Sequence, residues 1–363
     1  MKKILIDGRC LNEVSTGGKN YAIELIKSYQ REYGKDNVFV LCRQSQETKW
    51  FNEIIYPLKT YSFINFFLLH RIIRKVHPNI FHSPFHYSSF FKVKGCLYVT
   101  SVLDLMYRTV PNFYRKNSFL NLLGVLKTNF FIKRSLNNSD IVISISETTA
   151  DDVKRYFDKD SFVIPCGVIL RNYTDLSCQS GLSIYPKNSF FLYVGLTTVH
   201  KNVEFLISCF EKAVTDKMLI ICGKNDGNLK SSNPRVKFLG FVSEDDLGYL
   251  YNNCSAFVFP SLYEGFGLPI LEALAQGSIV FSSTGGSLKE FSDKLIHFFN
   301  PRDADSLIRL LEGVNNIQAP DKNEVAEYLS LFRWNVNFRK MHRIISLYEK
   351  NSNLCMYGDI QRS

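Results

Sequence analysis

Two carboxylates eight residues apart, Glu264 and Glu272, frame the stretch of this chain best equipped for chemistry. Between them lie Gly265, Phe266, Gly267 and Leu268, then Pro269 and the helix formers Ile270 to Gln276, closed by Gly277. The two glycines permit positive φ and let a ligand approach the main chain with no Cβ in the way. Pro269 is preorganised for the first position of a helix, and Gly277 suits its left-handed end. The uncharged run from Phe257 to Phe259 reads as a strand buried on both faces and ended by Pro260 and Ser261. Strand, glycine loop and helix start in that order turn free amides and the positive end of a helix dipole toward the loop, which makes an anion site fit for phosphate. Glu264 in the loop and Glu272 in the first helical turn would repel a phosphate, so neutral hydroxyls are their suitable partners. Phosphate and hydroxyls together describe a nucleotide sugar. Taken singly, Glu264 is equally well a solvated loop charge, and Glu272 a complement to the helix dipole.

The same strand, glycine and helix logic recurs. Ser189 to Val194 is an apolar run followed by Gly195-Leu196-Thr197-Thr198-Val199-His200-Lys201-Asn202. A cation is disfavoured at a helix start, so a phosphate partner explains Lys201 better than an ordinary first-turn lysine does. Lys217 to Cys222 reads as a strand ending in Gly223-Lys224-Asn225, and Val236 to Phe241 as another, followed by Val242 and the capping residue Ser243. Nearer the N-terminus, Ile4 to Asp7 precede a loop reaching Gly17 and Gly18 and a helix from Lys19 to Tyr29. Leu97 to Leu105 place Asp104 at the carboxyl end of a strand, where open α/β sheets bind ligands; a cap for the following turn is the other reading of Asp104. Two Asp-x-Asp triplets, at Asp158 and Asp303, read as chance matches at helix or strand starts rather than as metal ligands.

Alternating short strands and helices over 363 residues predict an α/β protein of two domains. The nine cysteines are scattered and odd in number, a reduced, cytosolic pattern, and no run has the length of a signal sequence or a membrane span. The net charge of +10 lies wholly in residues 1–180, with 25 Lys and Arg against 15 Asp and Glu. From Lys49 to Arg134 the only acids are Glu53 and Asp104. This basic, aromatic surface carries no nucleic-acid motif, so an anionic membrane face is the expected partner, with a plain solvated surface as the alternative. Tyr61 to Val76 and Phe119 to Arg134 are its two helical stretches, the first read as packing its apolar stripe on the core.

The run Ser-Leu-Tyr-Glu-Gly-Phe-Gly-Leu-Pro-Ile-Leu-Glu-Ala-Leu-Ala-Gln-Gly, Ser261 to Gly277, resembles the signature of family 4 retaining glycosyltransferases of the bacterial surface polysaccharide type. The resemblance implies a GT-B fold: two doubly wound parallel-sheet, Rossmann-like domains facing a cleft. Residues 1–170 would bind the acceptor, 171–187 form a linker, 188–335 bind the nucleotide sugar, and 336–363 form a helix crossing back to the first domain. On that basis Glu264 contacts the donor sugar, Glu272 the ribose, and the amides of Gly265, Phe266, Gly267 and Leu268 the diphosphate. Lys201 neutralises that diphosphate; Gly195, Gly223 and Lys224 line the donor site; Phe241 and Val242 hold the base through their backbone. Gly17 and Gly18 face the donor phosphates, and Asp104 joins Glu264 and Lys201 as a catalytic candidate. Many relatives carry a histidine where this chain has Leu103 and an arginine where it has Leu196, which leaves His82 or His86, and His200 or Lys224, as substitutes. The implied reaction is transfer of a sugar, mannose by resemblance, to a polyprenyl-linked oligosaccharide in O-antigen, capsule or exopolysaccharide assembly. No metal or other cofactor is expected, and the expected location is cytoplasmic and peripheral on the inner membrane face. A nucleotide-sugar epimerase of the same fold and a non-catalytic sugar-nucleotide-binding partner are the alternatives.

Overall fold

The computed structural model describes residues 2–12, 16–46, 50–60, 62–111, 113, 118–168 and 182–350. The chain divides into two compact units, one of Met1–Gly167 with the segment from Arg333 on, the other of Val168–Phe332. Most of the segment expected to link two domains, 171–181 of 171–187, lies outside the described residues.

The first unit is built in the order β1 (Ile4–Asp7), α1 (Thr16–Tyr33), β2 (Val38–Cys42), β3 (Asn52–Ile55), α2 (Phe63–Val76), β4 (Ile80–Ser83), β5 (Leu97–Val102), α3 (Met106–Thr109), α4 (Ser118–Asn138), β6 (Ile141–Ser144), α5 (Glu147–Phe157) and β7 (Phe162–Val163). Its strands pair in the order β3-β2-β1-β4-β5-β6-β7, all parallel. Strands β1, β4 and β6 are buried along their whole length, β1 and β6 as short apolar runs ending in one polar residue and β4 with His82 and Ser83 buried beside Ile80 and Phe81. The helices start where the sequence supplies caps: the Ser62 hydroxyl accepts from the Asn65 amide at 3.1 Å, and Ser146 from Thr149 at 3.1 Å.

The second unit repeats the winding with β8 (Phe190–Val194), α6 (Val203–Lys212), β9 (Met218–Cys222), β10 (Val236–Gly240), α7 (Glu244–Asn253), β11 (Ala256–Phe259), α8 (Leu268–Ala275), β12 (Val280–Ser283), β13 (His297–Phe299), α9 (Ala304–Gly313) and α10 (Lys322–Ser330). Its parallel sheet runs β10-β9-β8-β11-β12-β13. In both units the winding reverses beside the first strand, between β1 and β4 and between β8 and β11. Parallel strands send all their carboxyl-end loops to one edge, and a reversal opens a crevice between two of them.

The last helix, α11 (Trp334–Lys350), belongs to the first unit and packs on α1, with Phe338 edge-on to Tyr29 at 5.0 Å and Trp334 against Tyr21 at 5.4 Å. Gly167 makes room for it: a Cβ there would stand 2.3 Å from the Trp334 ring. Under α1 runs a fully buried polar chain. Tyr29 Oη bonds to His82 Nδ1 at 2.9 Å, His82 Nε2 to Ser101 Oγ at 2.9 Å, and Ser101 Oγ to Tyr21 Oη at 2.8 Å.

Burial pushes His82 down from its ordinary 6.5 to about 3. Below pH 6.5 the unfolded chain therefore binds a proton that native His82 refuses. The stability this site contributes is complete above that pH and is lost as pH falls toward 3, at up to about 1.4 kcal/mol per pH unit. Replacing His82 with Gln should reduce the slope of unfolding free energy against pH by about that amount between roughly pH 6 and 4, measured by urea denaturation.

Candidate functional site

In the second unit the loops after β8 and β11 leave neighbouring strands at the reversal, and they carry the residues singled out for chemistry. After β8, Gly195 has φ 150° and its amide donates to Cys222 O at 2.9 Å. Gly223, with φ 113°, lies so close that a Cβ on it would stand 2.2 Å from Gly195 O, so these two loops touch backbone to backbone. Thr197 Oγ1 donates to Asn225 Oδ1 and accepts from the Gly227 amide, both at 2.9 Å, which fixes the loop after β9 to the loop after β8. The chain then makes a single 3-10 turn, Val199–Lys201, before Asn202 in the left-handed region (φ 57°) begins α6. Asn202 Nδ2 donates to Pro260 O and to Pro301 O, and the Leu262 amide donates to His200 O at 2.7 Å.

That last bond ties the two loops together, and charge does the same. Lys201 Nζ lies 2.7 Å from Glu264 Oε1, with only 17% and 10% of the two side chains exposed, and the ammonium rests over the Phe259 ring at 5.5 Å. The two residues were expected to serve different parts of a ligand; they form an ion pair with each other. His200, next to them, is held below its ordinary value by burial first and by the Lys201 charge second, so it is neutral near pH 7. It adds no positive charge to replace the arginine missing at Leu196. Lys224 is exposed and bridges to Asp226 at 2.7 Å, on the loop after β9.

The Glu264 loop is buried and held from beneath. Ser287 donates to Glu264 O through both its amide and its hydroxyl at 3.1 Å, and the hydroxyl also donates to Phe266 O at 3.0 Å. Gly285 and Gly286 permit this approach, since a Cβ would stand 2.4 Å from Ser261 O on the first and 2.5 Å from Glu264 O on the second. The Phe266 ring turns into the pocket of Phe291 (5.6 Å) and Phe332 (5.8 Å), so this residue offers a ligand its main chain alone. Gly267, at φ 115°, caps α8; Leu268 is the first helical residue and Pro269 the second. This corrects the expected placement of Glu272: no acidic residue lies in the first turn, and Glu272 sits one turn further along, half-buried, with Tyr251 Oη 3.4 Å away. Dipole complementarity falls off within the first turn and so does not account for Glu272. After β10, Phe241 is 69% exposed and Val242 half-buried.

The brace made by Ser287 and the Gly285–Gly286 pair has no local signature in the sequence, because the segment it holds is more than twenty residues away. Ser261, read from the sequence as the end of the strand, is fully buried, with a hydroxyl that finds no hydrogen-bond partner among the described residues.

In the first unit, Gly17 and Gly18 lie in the first turn of α1, which begins at Thr16, and not in the loop where they were expected. Helical geometry at these two residues is compatible with glycine, and tight packing explains one of them: a Cβ on Gly18 would stand 2.8 Å from the Phe85 ring and 3.6 Å from Leu103 Cδ1. Gly17 has open space around it. Asp104 Oδ1 accepts from the Met106 amide at 3.0 Å and so makes the turn-capping bond offered as its alternative reading. His82 is unsuited to replace the histidine missing at position 103, since both its ring nitrogens are spent inside the core. His86 differs. Its Nδ1 is buried with no partner among the described residues, and burial lowers its pKa to about 4.

Two parallel-sheet, Rossmann-like units with this winding define the GT-B-like architecture, and solved structures match it across nearly the whole chain. Sucrose-phosphate synthase (tll1590) from Thermosynechococcus elongatus superposes with a TM-score of 0.75 over 96% of this chain and 100% of that one, at 18% identity. Anabaena Alr3699/HepE in complex with UDP does so with a TM-score of 0.69 over 95% of this chain and 100% of that one, at 17% identity. Likeness at these identities establishes the fold. The family described as "Glycosyltransferase Family 4" matches residues 16–172, and that described as "Glycosyl transferases group 1" matches residues 179–328. The chain is thus a GT-B-fold relative of these two glycosyltransferase groups. The O-antigen chain mannosyltransferase RfbU of Salmonella typhimurium is 29% identical over 60% of this chain and 62% of its own length, so the match spans under two thirds of that relative.

Replacing Ser287 with Ala removes the hydroxyl bonds to Glu264 O and Phe266 O while leaving the amide bond. The expected cost is about 1–3 kcal/mol of unfolding free energy, read from denaturant midpoints. An unchanged midpoint would show that the loop holds its shape without this brace.

Proposed function

We propose that the chain is a retaining glycosyltransferase that moves a sugar from a nucleoside diphosphate sugar to an acceptor hydroxyl in bacterial surface polysaccharide assembly. The observation that carries this reading is the Lys201–Glu264 pair at the strand-order reversal beside the start of α8. A carboxylate and an ammonium paired at 2.7 Å, largely shielded from water, are each a strong partner for another group. An entering diphosphate takes over Lys201 as its counter-ion, and Glu264 turns to the hydroxyls of the donor sugar. The loop amides from Gly265 to Leu268 and the positive end of α8 add to the same anion site. Gly195 and Gly223 let the phosphates approach main chain, Lys224 supplies a second cation, Glu272 accepts from the ribose, and Phe241 and Val242 flank the base.

In the reaction the bond from the anomeric carbon to the β-phosphate oxygen breaks, and its electron pair leaves with the nucleoside diphosphate. The acceptor oxygen bonds to the same carbon on the same face and gives up its proton. Lys201 and the loop amides stabilise the charge that grows on the leaving group. The first unit binds the acceptor, a polyprenyl-linked oligosaccharide presented on the inner face of the cytoplasmic membrane, with Gly17 and Gly18 kept as donor-phosphate contacts and Asp104 as a catalytic candidate. Mannose is the proposed sugar, supported by the relative named as an O-antigen chain mannosyltransferase. A non-catalytic nucleotide-sugar-binding role is the second reading, favoured by Leu103 and Leu196 standing where many relatives have a histidine and an arginine.

Thermal-shift titration with GDP and UDP tests the donor site. A nucleotide at about one hundred times its dissociation constant should add about 2.7 kcal/mol of stability to the wild type and much less to Lys201→Ala. Incubation with GDP-mannose and a lipid-linked acceptor tests the chemistry. Glu264→Ala should lower transfer by about a hundredfold or more. Nucleotide binding without transfer favours the second reading, and product from donor alone would point to an isomerase.

A further inference from the structure

His200 stands uncharged in the donor site while both of its ionised neighbours are engaged. It occupies the middle of the turn Val199–Lys201, half-buried, and its main chain is fixed, since His200 O accepts from the Leu262 amide at 2.7 Å. Its Nδ1 lies 3.3 Å from Thr198 Oγ1. A hydroxyl can donate to a neutral ring or accept from a cationic one, so protonation of the ring breaks no bond here. The other ring nitrogen, Nε2, has no hydrogen-bond partner among the described residues and is not sealed from water.

The charges around the ring balance one another. Lys201 beside it opposes a second cation and Glu264 on the loop after β11 favours one, but these two are paired at 2.7 Å and largely cancel. Burial, the largest influence, then decides for the neutral form. The adjoining elements add Glu204, exposed in the first turn of α6, and Lys224 with Asp226, bridged to each other on the loop after β9. A nucleoside diphosphate sugar upsets this balance. Its two phosphates each bring about one negative charge, Lys201 turns from Glu264 to meet them, and the carboxylate loses its counter-ion. Leu196 stands where the resemblance places an arginine, so this turn supplies no second permanent cation. Uncompensated anionic charge beside an imidazole favours the imidazolium.

We propose that His200 belongs to the donor site, and that a nucleoside diphosphate sugar binds together with a proton that His200 holds as an imidazolium beside the diphosphate. This role rests on the donor site proposed above and adds to it a cation that exists only when the site is full. A charge made on demand spares the empty turn the repulsion that a permanent cation next to Lys201 would bring. Linkage fixes the sign. A ring that is neutral in the free protein and charged in the complex makes donor affinity rise as pH falls, by up to about tenfold per pH unit.

The test is titration calorimetry of the full chain with GDP-mannose and with UDP-glucose, without acceptor, near about pH 7 in two buffers of different ionisation enthalpy, PIPES and Tris. Both phosphates of a nucleotide sugar are esterified and stay singly charged, whereas free GDP or UDP ionises again near about 6 and would blur the count. Wild type should take up roughly 0.5–1 proton per donor bound, and His200→Gln close to none. Between roughly pH 8 and pH 6 wild-type affinity should rise by about threefold to tenfold or more, and that of His200→Gln should stay nearly flat. Histidine-labelled wild type gives a readout that needs no variant: on addition of donor, the NMR signal of one ring should move from its neutral to its cationic position. Binding without proton uptake, uptake undiminished in His200→Gln, or no ring that changes charge on adding donor overturns the proposal and leaves the donor site standing. Absence of binding by either nucleotide sugar removes the donor site itself, and this role with it.

Discussion

The second unit depends on two loops that leave adjacent parallel strands and satisfy one another. Because β8 and β11 run side by side, their carboxyl-end loops emerge together, and neither has a strand partner for its backbone. The Leu262 amide resolves part of this by donating to His200 O, and Asn202 resolves more by donating to Pro260 O. Once the loops are stitched, Lys201 and Glu264 face each other. Partly desolvating either charge alone would cost several kcal/mol, and the pair makes the arrangement tolerable. The glycines follow from the same constraint: Gly223, Gly285 and Gly286 stand where main chain meets main chain at distances that no side chain allows.

Local features of this region were legible because they are written in consecutive residues. The strand from Ala256 to Phe259, the glycine loop, the proline near the start of α8 and the left-handed Gly277 at its end follow from residue type. The displacement of Glu272 from the first turn is a small error of the same local kind, since Gly267 and not Leu268 ends the loop. The Lys201–Glu264 pair was not legible, because its partners are 63 residues apart and meet through strand order, which no local pattern encodes. Gly17 and Gly18 show the opposite failure: two adjacent glycines read as a loop, yet they lie in the first turn of a helix, where the Phe85 ring leaves no room for a Cβ on Gly18.

Leu122, Leu123, Leu126 and Phe130 of α4 stand exposed, and this was hidden for a different reason. A stripe of leucine and phenylalanine at helical spacing looks the same whether it faces a core or a lipid, so periodicity reveals that a face is apolar and not what covers it. A cationic excess confined to one unit, with two acid-free helices inside it, is hard to explain by packing, which is indifferent to the sign of surface charge.

The two units share a winding order and differ in what their reversals hold. In the second, the loops carry the partly shielded Lys201–Glu264 pair. In the first, β1 ends in Asp7, locked in a buried ion pair with Arg9, the neighbouring β4 carries His82, neutral and engaged on both sides, and Leu103 lies beside Gly18 where the resemblance places a histidine. His86 keeps an unspent nitrogen, but a pKa near 4 makes it a weak proton acceptor. A departing nucleotide's terminal phosphate, with its second pKa near about 6, is the stronger base. In the proposed reaction the acceptor proton therefore passes most favourably to the leaving group itself. On that route the aliphatic residue at position 103 removes no group that the chemistry requires.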